Sequence, residues 1–331
     1  MRGTALVLID RRQALLGSMA AGLAARVPAQ TGDRPGGTGE PSETLLLWPS
    51  GAPGMPATPP VEVTDERGQA PVLHDRSLRG ISRPRLAVFR PAQPNGSAVL
   101  VTPGGGYRYV VLDKEGYEVG RWLAARGYTV FVLAYRLPGE GWAAGPDVAL
   151  SDAQRAMRLI RSRADQYRIR PDRVAAMGFS AGGHLCGDLA TRFTAKTYDP
   201  VDAADRLSAR PDLAAPIYAV QSMTLPLAHK GSRDLLLGAD ASPALERAHT
   251  PAANVTRDTP PFFMAHAEDD DAVPVGNTLA MRAALKAAGV PVETHLFERG
   301  GHGFGLRRAA DTPVALWPEL FRRWAASHGL G

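Results

Sequence analysis

The sequence predicts an α/β fold, a mostly parallel central sheet flanked by helices, and three observations carry that expectation. Short aliphatic and aromatic runs alternate with amphipathic segments along most of the 331 residues, as in chains built from strand–helix units. The runs are apolar almost throughout rather than at alternate positions, the pattern of strands covered on both faces. The 35 glycines and 28 prolines supply the many turns such a chain needs and disfavour a helical bundle.

The elements follow in order. Leu45-Leu46-Leu47-Trp48 leads into a proline-rich, irregular passage to about Pro60. Residues 86–89 and 98–101 read as strands bounded by proline and glycine. Residues 114–126 have helical spacing, with Val119, Trp122 and Leu123 on one face and Gly127 as the cap. Residues 129–134 read as a strand buried on both sides, and 147–167 as one long amphipathic helix. Then come strand 174–177, a small-residue helix 181–193, strands 214–220 and 261–265, helix 278–288 closed by Gly289, strand 292–297 and helix 314–326. Two polar, proline-bearing stretches, 194–210 and 222–254, break the alternation. Their place after the central strand–helix unit predicts a small insertion over the active site.

The formal net charge is +5, and part of it sits at the amino terminus. Residues 1–29 hold Arg2, Arg11, Arg12 and Arg26 against Asp10 alone, so the remainder carries +2. Arg11-Arg12 precede an apolar, small-residue run from Ala14 to Ala25, and Val27-Pro28-Ala29 offers small residues where a signal peptidase reads. The pattern resembles a twin-arginine export signal, with Asp10 in place of the usual Ser or Thr and Ala14 in place of Phe. The expected organisation is an export segment over 1–29, a linker over 30–44 and one catalytic domain over 45–331, in a periplasmic or secreted protein. The apolar run is too short and alanine-rich for a stable membrane span, and no other segment is long and apolar enough. No Lys/Arg block or aromatic-rich basic stripe points to nucleic acid. Cys186 is the single cysteine, so no intrachain disulfide forms and no cysteine cluster holds a metal; it reads as a small core residue.

The strongest chemical signal is Gly178-Phe179-Ser180-Ala181-Gly182, between a predicted strand and a predicted helix. The glycines permit a turn tight enough to expose the Ser180 hydroxyl at the top of the sheet, and the helix start directs free amides to the same place. A serine needs a base and the base needs an orienter. Of the eight histidines, His302 stands in the glycine-rich loop Gly300-Gly301-His302-Gly303-Phe304 after the last strand, free to swing onto a serine. His184 is expected to bond locally and His266 to be a satisfied core or rim histidine. His229 is a candidate substrate contact in the insertion. The acid belongs after strand 261–265, where Asp269, Asp270 and Asp271 compete. Pro103-Gly104-Gly105-Gly106-Tyr107, after strand 98–101, occupies the place of the oxyanion loop of esterases. Gly105, Gly106 and Ala181 are the expected oxyanion donors, and Tyr107 a second candidate substrate contact. The order Ser180, acid, His302, with the glycine loop upstream, is that of α/β-hydrolases.

These motifs resemble those of bacterial α/β-hydrolases described as acetylxylan esterases or feruloyl-esterase-like carbohydrate esterases. The matching segments are Leu47-Trp48-Pro49-Ser50-Gly51-Ala52-Pro53-Gly54, the glycine loop, Asp113-Lys114-Glu115-Gly116, the serine elbow through Leu185, His229-Lys230-Gly231-Ser232-Arg233, and Gly300 to Gly305. The resemblance implies the α/β-hydrolase fold and hydrolysis of small acyl esters on sugars, with an oligosaccharide or small-molecule ester as the partner. In such enzymes the acid opens D-x-x-V-P, which here selects Asp270, with Asp271 as runner-up. The mechanism this implies needs no metal and no organic cofactor.

Three other readings are weaker. An oligopeptidase shares the catalytic domain but usually carries a β-propeller, which the roughly forty irregular residues before the first core strand cannot build. A dienelactone-type hydrolase uses cysteine where the elbow here has Ser180. A non-catalytic binding relative has no need of a complete nucleophile, base, acid and glycine loop.

Overall fold

The computed structural model describes residues 39–331. The expected export segment and most of the 30–44 linker lie outside the described residues. Strand β1 (Glu43–Leu46) opens the fold, followed by β2 (Val63–Glu66), β3 (Arg76–Arg79), β4 (Arg85–Phe89), β5 (Ala98–Thr102) and β6 (Val110–Val111). A single wide π turn over Asp113–Tyr117 runs into α1 (Glu118–Ala124), then β7 (Thr129–Ala134), α2 (Val148–Ser162), α3 (Ala164–Tyr167), β8 (Val174–Phe179) and α4 (Ser180–Thr191). The chain continues through β9 (Leu213–Ile217), α5 (Lys230–Leu237), α6 (Pro243–Ala248), β10 (Phe262–Ala267), α7 (Gly276–Ala287), β11 (Val292–Phe297) and α8 (Trp317–Ser327).

Eight strands form one sheet in the order β1-β4-β7-β5-β8-β9-β10-β11. β1 and β4 pair antiparallel, as do β4 and β7, and every pairing from β7 to β11 is parallel. The expected mostly parallel sheet is present. A small second sheet, β2-β3-β6, lies apart from it. β2 and β3 are four residues each and carry exposed charged residues, and β6 is only two buried valines, so no apolar period marks them.

The central strands are buried along their whole length, and their alternate residues feed two cores. Ala98 and Leu100 of β5, with Phe131 and Leu133 of β7, face one core shared with α2 and α4. Val99, Val101, Val130 and Val132 face the other, shared with α1 and α8. That double burial is why the apolar runs show no period of two. The expected single helix over 147–167 is broken at Arg163, where the backbone leaves helical geometry between α2 and α3. The strand expected over 214–220 stops at Ile217, because Tyr218 takes a positive φ of 36°.

The two irregular stretches part company. Residues 222–254 hold α5 and α6, and α5 begins at the cleft. Residues 194–210 do not line it. They pack beside α2, with Tyr198 edge-on to Trp48 at 4.9 Å and Asp202 and Asp205 bonded to Arg155. The expectation that both lie over the active site is corrected on this point.

A buried ion pair fastens the amino-terminal segment to the sheet. Arg136 and Asp152 have fully buried side chains, with Arg136 Nη2 2.8 Å from Asp152 Oδ1. Trp48 Nε1 donates to the same oxygen at 2.7 Å, and Arg136 Nη1 donates to the Pro53 carbonyl at 2.7 Å. The guanidinium also lies over the Trp142 ring. Removing one member of such a pair strands a charge away from water. Asp152→Ala is therefore expected to cost about 3–5 kcal/mol in urea unfolding, whereas loss of a pair as exposed as Arg170–Asp172 should cost less than about 1 kcal/mol.

Candidate active site

Three parallel-strand ends converge on one cleft. β8 runs into the elbow, where Ser180 is the first residue of α4 and takes φ 53°, a left-handed value unusual for a residue with a Cβ. Close packing explains how it is held. A Cβ on Gly178 would lie 2.2 Å from the Gly182 carbonyl oxygen, and one on Gly182 would lie 2.1 Å from that of Thr102. Both positions must be glycine for the elbow to press against the end of β5.

Ser180 Oγ lies 2.9 Å from His302 Nε2, and His302 Nδ1 lies 2.8 Å from Asp270 Oδ2. A carboxylate only accepts, so Nδ1 carries the proton and Nε2 is left to accept from the serine hydroxyl. Asp270 has a buried side chain. Burial by itself would raise its pKa, but hydrogen bonds from His266 and His302, the charge of His302 and the Val273 amide outweigh it and hold the carboxyl well below the usual range. Its Oδ1 accepts from the amides of Ala272 and Val273 at 3.0 and 2.8 Å.

The three neighbouring aspartates thus do different work. Asp270 faces His302. Asp269 Oδ1 accepts from the amides of Gly300 and Gly301, at 2.9 and 2.7 Å, and so holds the loop that carries His302. Asp271 is exposed. His266 is a second donor to Asp270: its Nε2 lies 3.1 Å from Asp270 Oδ2 and 3.0 Å from the Val273 carbonyl, while Nδ1 accepts from Thr278 Oγ1. Reading it as a satisfied core histidine missed that its satisfaction is the aspartate itself.

The glycine loop stands beside the serine. Gly105 and Gly106 line the same cavity of about 380 Å³ as Ser180 and His302. The Gly104 amide is already committed to Glu115 Oε2 at 2.8 Å. The amides of Gly105 and Gly106 donate to no protein acceptor. Gly105 takes φ 128°, and a Cβ there would meet the Tyr109 carbonyl oxygen at 2.0 Å. Ala181, the second residue of α4, sits in the first turn, where helix amides lack intrahelical partners.

Glu115 links the two glycine-rich loops, a role the sequence did not suggest even though Asp113-Lys114-Glu115-Gly116 was marked. Its Oε1 accepts from the Tyr218 hydroxyl at 3.1 Å, and that hydroxyl accepts from the Gly305 amide at 3.2 Å. The Tyr218 ring in turn packs edge-on to His302, centroids 5.3 Å apart. No period or motif connects residues 104, 115, 218 and 305.

The two candidate substrate contacts fare differently. His229 caps α5 and lines the cavity, and its Nδ1 accepts from the Ser232 amide, which leaves Nε2 to carry the proton of the neutral ring. Burial and the neighbouring His302 push its pKa down, against the pull of Asp270. Tyr107 does not line the cavity and is corrected: its side chain is buried, and its hydroxyl donates to His184 Nδ1 at 2.6 Å. His184 Nε2 donates to the His249 carbonyl at 2.7 Å. The tyrosine in the cleft is Tyr109. Among the described residues no cluster of His, Cys, Asp and Glu is placed to hold a metal ion, and no helix is long and apolar enough to cross a membrane.

An eight-stranded, mostly parallel sheet with a serine on a tight strand–helix turn and a histidine after the last strand defines an α/β-hydrolase. Within that class the chain belongs to the BD-FAE family, which it matches over residues 86–285. An acetylxylan esterase of Xylanibacter ruminicola is 32% identical over 235 residues, which are 69% of this chain and 45% of that protein. Endo-1,4-beta-xylanase B of Butyrivibrio fibrisolvens is 34% identical over 208 residues, 62% of this chain and 32% of that protein. This chain thus spans less than half the length of these two relatives. The crystal structure of an acetyl ester-xyloside bifunctional hydrolase from Caldicellulosiruptor lactoaceticus superposes with a TM-score of 0.70 at 32% identity, covering 89% of this chain and 99% of the other.

Two tests follow from the geometry. Asp270→Asn should lower turnover of an aryl ester by about 10⁴-fold, since the amide no longer fixes the His302 tautomer, while Asp271→Asn should leave it within about twofold. Equal losses in the two would reassign the acid. The second test concerns pH. Burial pushes the pKa of His184 down to about 4, so the folded protein keeps it neutral where the unfolded chain protonates it. Its contribution is complete above the unfolded value of about 6.5 and is lost as pH falls toward 4, by roughly 3 kcal/mol. Melting temperature should decline over that window, and His184→Gln should make the decline shallower.

Proposed function

We propose that the protein is a serine carboxylesterase that removes acyl groups, above all acetyl, from plant polysaccharide or oligosaccharide such as acetylated xylan. The observation that carries this reading is the continuous hydrogen-bond chain from Ser180 through His302 to Asp270, with the unpaired amides of Gly105 and Gly106 in the same cavity. Ser180 Oγ attacks the ester carbonyl as His302 Nε2 takes its proton, and Asp270 stabilises the imidazolium that forms. The amides of Gly105, Gly106 and Ala181 receive the negative charge that grows on the carbonyl oxygen, an interaction whose loss typically costs about 10²–10³ in turnover. His302 then gives the proton to the leaving sugar oxygen as its bond to the acyl carbon breaks, and water activated by the same base releases the acid.

Acetyl as the acyl group is supported by the names of two relatives, an acetylxylan esterase and an acetyl ester-xyloside hydrolase. Export is supported by Arg11-Arg12 ahead of an apolar run and by Val27-Pro28-Ala29, and it suits a polymer met outside the cytoplasm. The test pairs model esters with natural ones. p-Nitrophenyl acetate should be cleaved faster than longer acyl esters and an aminoacyl p-nitroanilide not at all, and mass spectrometry should show acetyl loss from xylo-oligosaccharides. Ser180→Ala should reduce ester turnover by at least about 10⁴-fold with an unchanged melting curve. Retained turnover in that variant would refute the mechanism, and cleavage of the anilide alone would replace esterase with peptidase.

A further inference from the structure

The walls of the cleft are strongly basic. Arg67, Arg108, Lys114 and Arg308 all line the cavity that holds Ser180 and His302, and Glu115 is the one carboxylate among the lining residues. Glu115 is buried and spoken for: Gly104 and Tyr218 donate to its two oxygens, and Lys114 Nζ lies 4.0 Å from Oε1. Asp270 is close by, but its side chain is fully buried behind His302. No other carboxylate is among the residues that line the cleft, and of its four cations only Arg67 and Lys114 have an acid within reach, Asp75 and Glu115.

The four are not equivalent. Arg67 reaches Asp75 at 3.2 Å and lies over the Tyr109 ring. Lys114 is deep, with its Nζ 3.2 Å from the place a Cβ on Gly303 would occupy, next to His302. Arg108, at the end of the glycine loop, and Arg308, on the loop after His302, are both exposed and have no carboxylate partner among the described residues. Three arginines away from the cleft, Arg76, Arg85 and Arg155, instead close onto Asp113, Glu62 and Asp202. Cations left unneutralised on both loops that flank the nucleophile raise the local concentration of an anion in the cleft.

We infer that the alcohol portion of the substrate carries a carboxylate, so that the preferred ester is an acetylated oligosaccharide bearing a uronic acid rather than a neutral acetylated xylan. This rests on the esterase reading above and adds the charge of its substrate. The acyl group meets Ser180, Gly105 and Gly106 at the base of the cleft, while the alcohol portion extends past Arg108 and Arg308 at the rim, where the carboxylate pairs.

The experiment compares 4-acetoxybenzoate with its neutral methyl ester, in the full chain and in the double variant Arg108→Gln/Arg308→Gln. The readout is the ratio of kcat/KM for the anionic over the neutral ester, in which intrinsic reactivity cancels between proteins. The ratio should fall about tenfold in the double variant, the size expected of two exposed charge pairs. About 0.5 M sodium chloride should lower it similarly in the wild type, and Arg108→Lys/Arg308→Lys should retain it. Acetylated xylo-oligosaccharides with a glucuronic acid branch should be deacetylated faster than unbranched ones. A ratio unchanged by the glutamine substitutions, or no preference for the acidic oligosaccharide, overturns the inference while the esterase reading stands. Failure of the wild type to cleave either aryl acetate overturns both.

Discussion

At the end of β8 the backbone makes a turn that only tight packing maintains. Ser180 sits at φ 53°, a conformation that costs a side-chain-bearing residue on the order of 1–3 kcal/mol. What over-determines it is backbone laid on backbone. Gly182 lies so close to Thr102 and Pro103 that a Cβ would fall 2.1 and 2.2 Å from their carbonyl oxygens, and Thr102 Oγ1 donates to the Gly182 carbonyl at 2.8 Å. The same residues of β5 begin the glycine loop. The serine and the amides beside it are therefore positioned by one contact. Any side chain at position 182 would push the elbow away from β5 and displace both.

Around that contact the loops are held by hydrogen bonds from polar side chains as well as by Tyr107 and Phe304, which pack into the two cores. Tyr135 donates to the Pro103 carbonyl at 2.7 Å, Glu115 takes the Gly104 amide, and Tyr107 reaches His184 on α4. On the other side Asp269 grips the amides of Gly300 and Gly301, and Tyr218 holds that of Gly305. The bonds from Gly104, Gly300, Gly301 and Gly305 lie where the chain leaves regular structure and its amides need acceptors. The result is a set of loops with the fixed geometry that a preorganised site requires.

The division between what the sequence revealed and what it hid follows from these interactions. β7 was legible to the residue because its burial makes the run apolar throughout, and β11 because β-branched and aromatic residues are bounded by Pro291 and the glycine-rich histidine loop. The elbow and histidine loop were legible by motif, because tight turns demand glycine. β2 and β3 were not, since short strands with exposed charged residues resemble loops, and β6 is too short, at two residues, to show any pattern. Residues 194–210 looked like cleft-covering insertion for want of any local sign that Asp202 and Asp205 belong to Arg155. Tyr107 looked like a substrate contact because it follows three glycines. Its partner His184 lies 77 residues on, and only the fold brings the two together. The early end of β9 has the same origin, for Tyr218 turns out of the strand to place its ring beneath His302.

The order of the three residues along the chain is itself a consequence of the sheet. β8, β9, β10 and β11 are parallel neighbours, so their carboxyl ends lie along one edge. Ser180 follows β8, Asp270 follows β10 and His302 follows β11, and the separation of 122 positions between Ser180 and His302 is taken up by three strands, their crossovers and the insertion. His302 must therefore reach back across the ends of β10 and β9 to meet the serine. Its loop can do so because Gly301 and Gly303 take φ values of 60° and 70°, and because the ring is met on the way by Asp270 and by Tyr218. The bent end of β9, where Tyr218 takes φ 36°, supplies the ring against which His302 packs. The departure from regular β geometry at Tyr218 and the placing of the base beside the nucleophile therefore meet in one ring contact, with the Tyr218 hydroxyl also holding the Gly305 amide of the histidine loop.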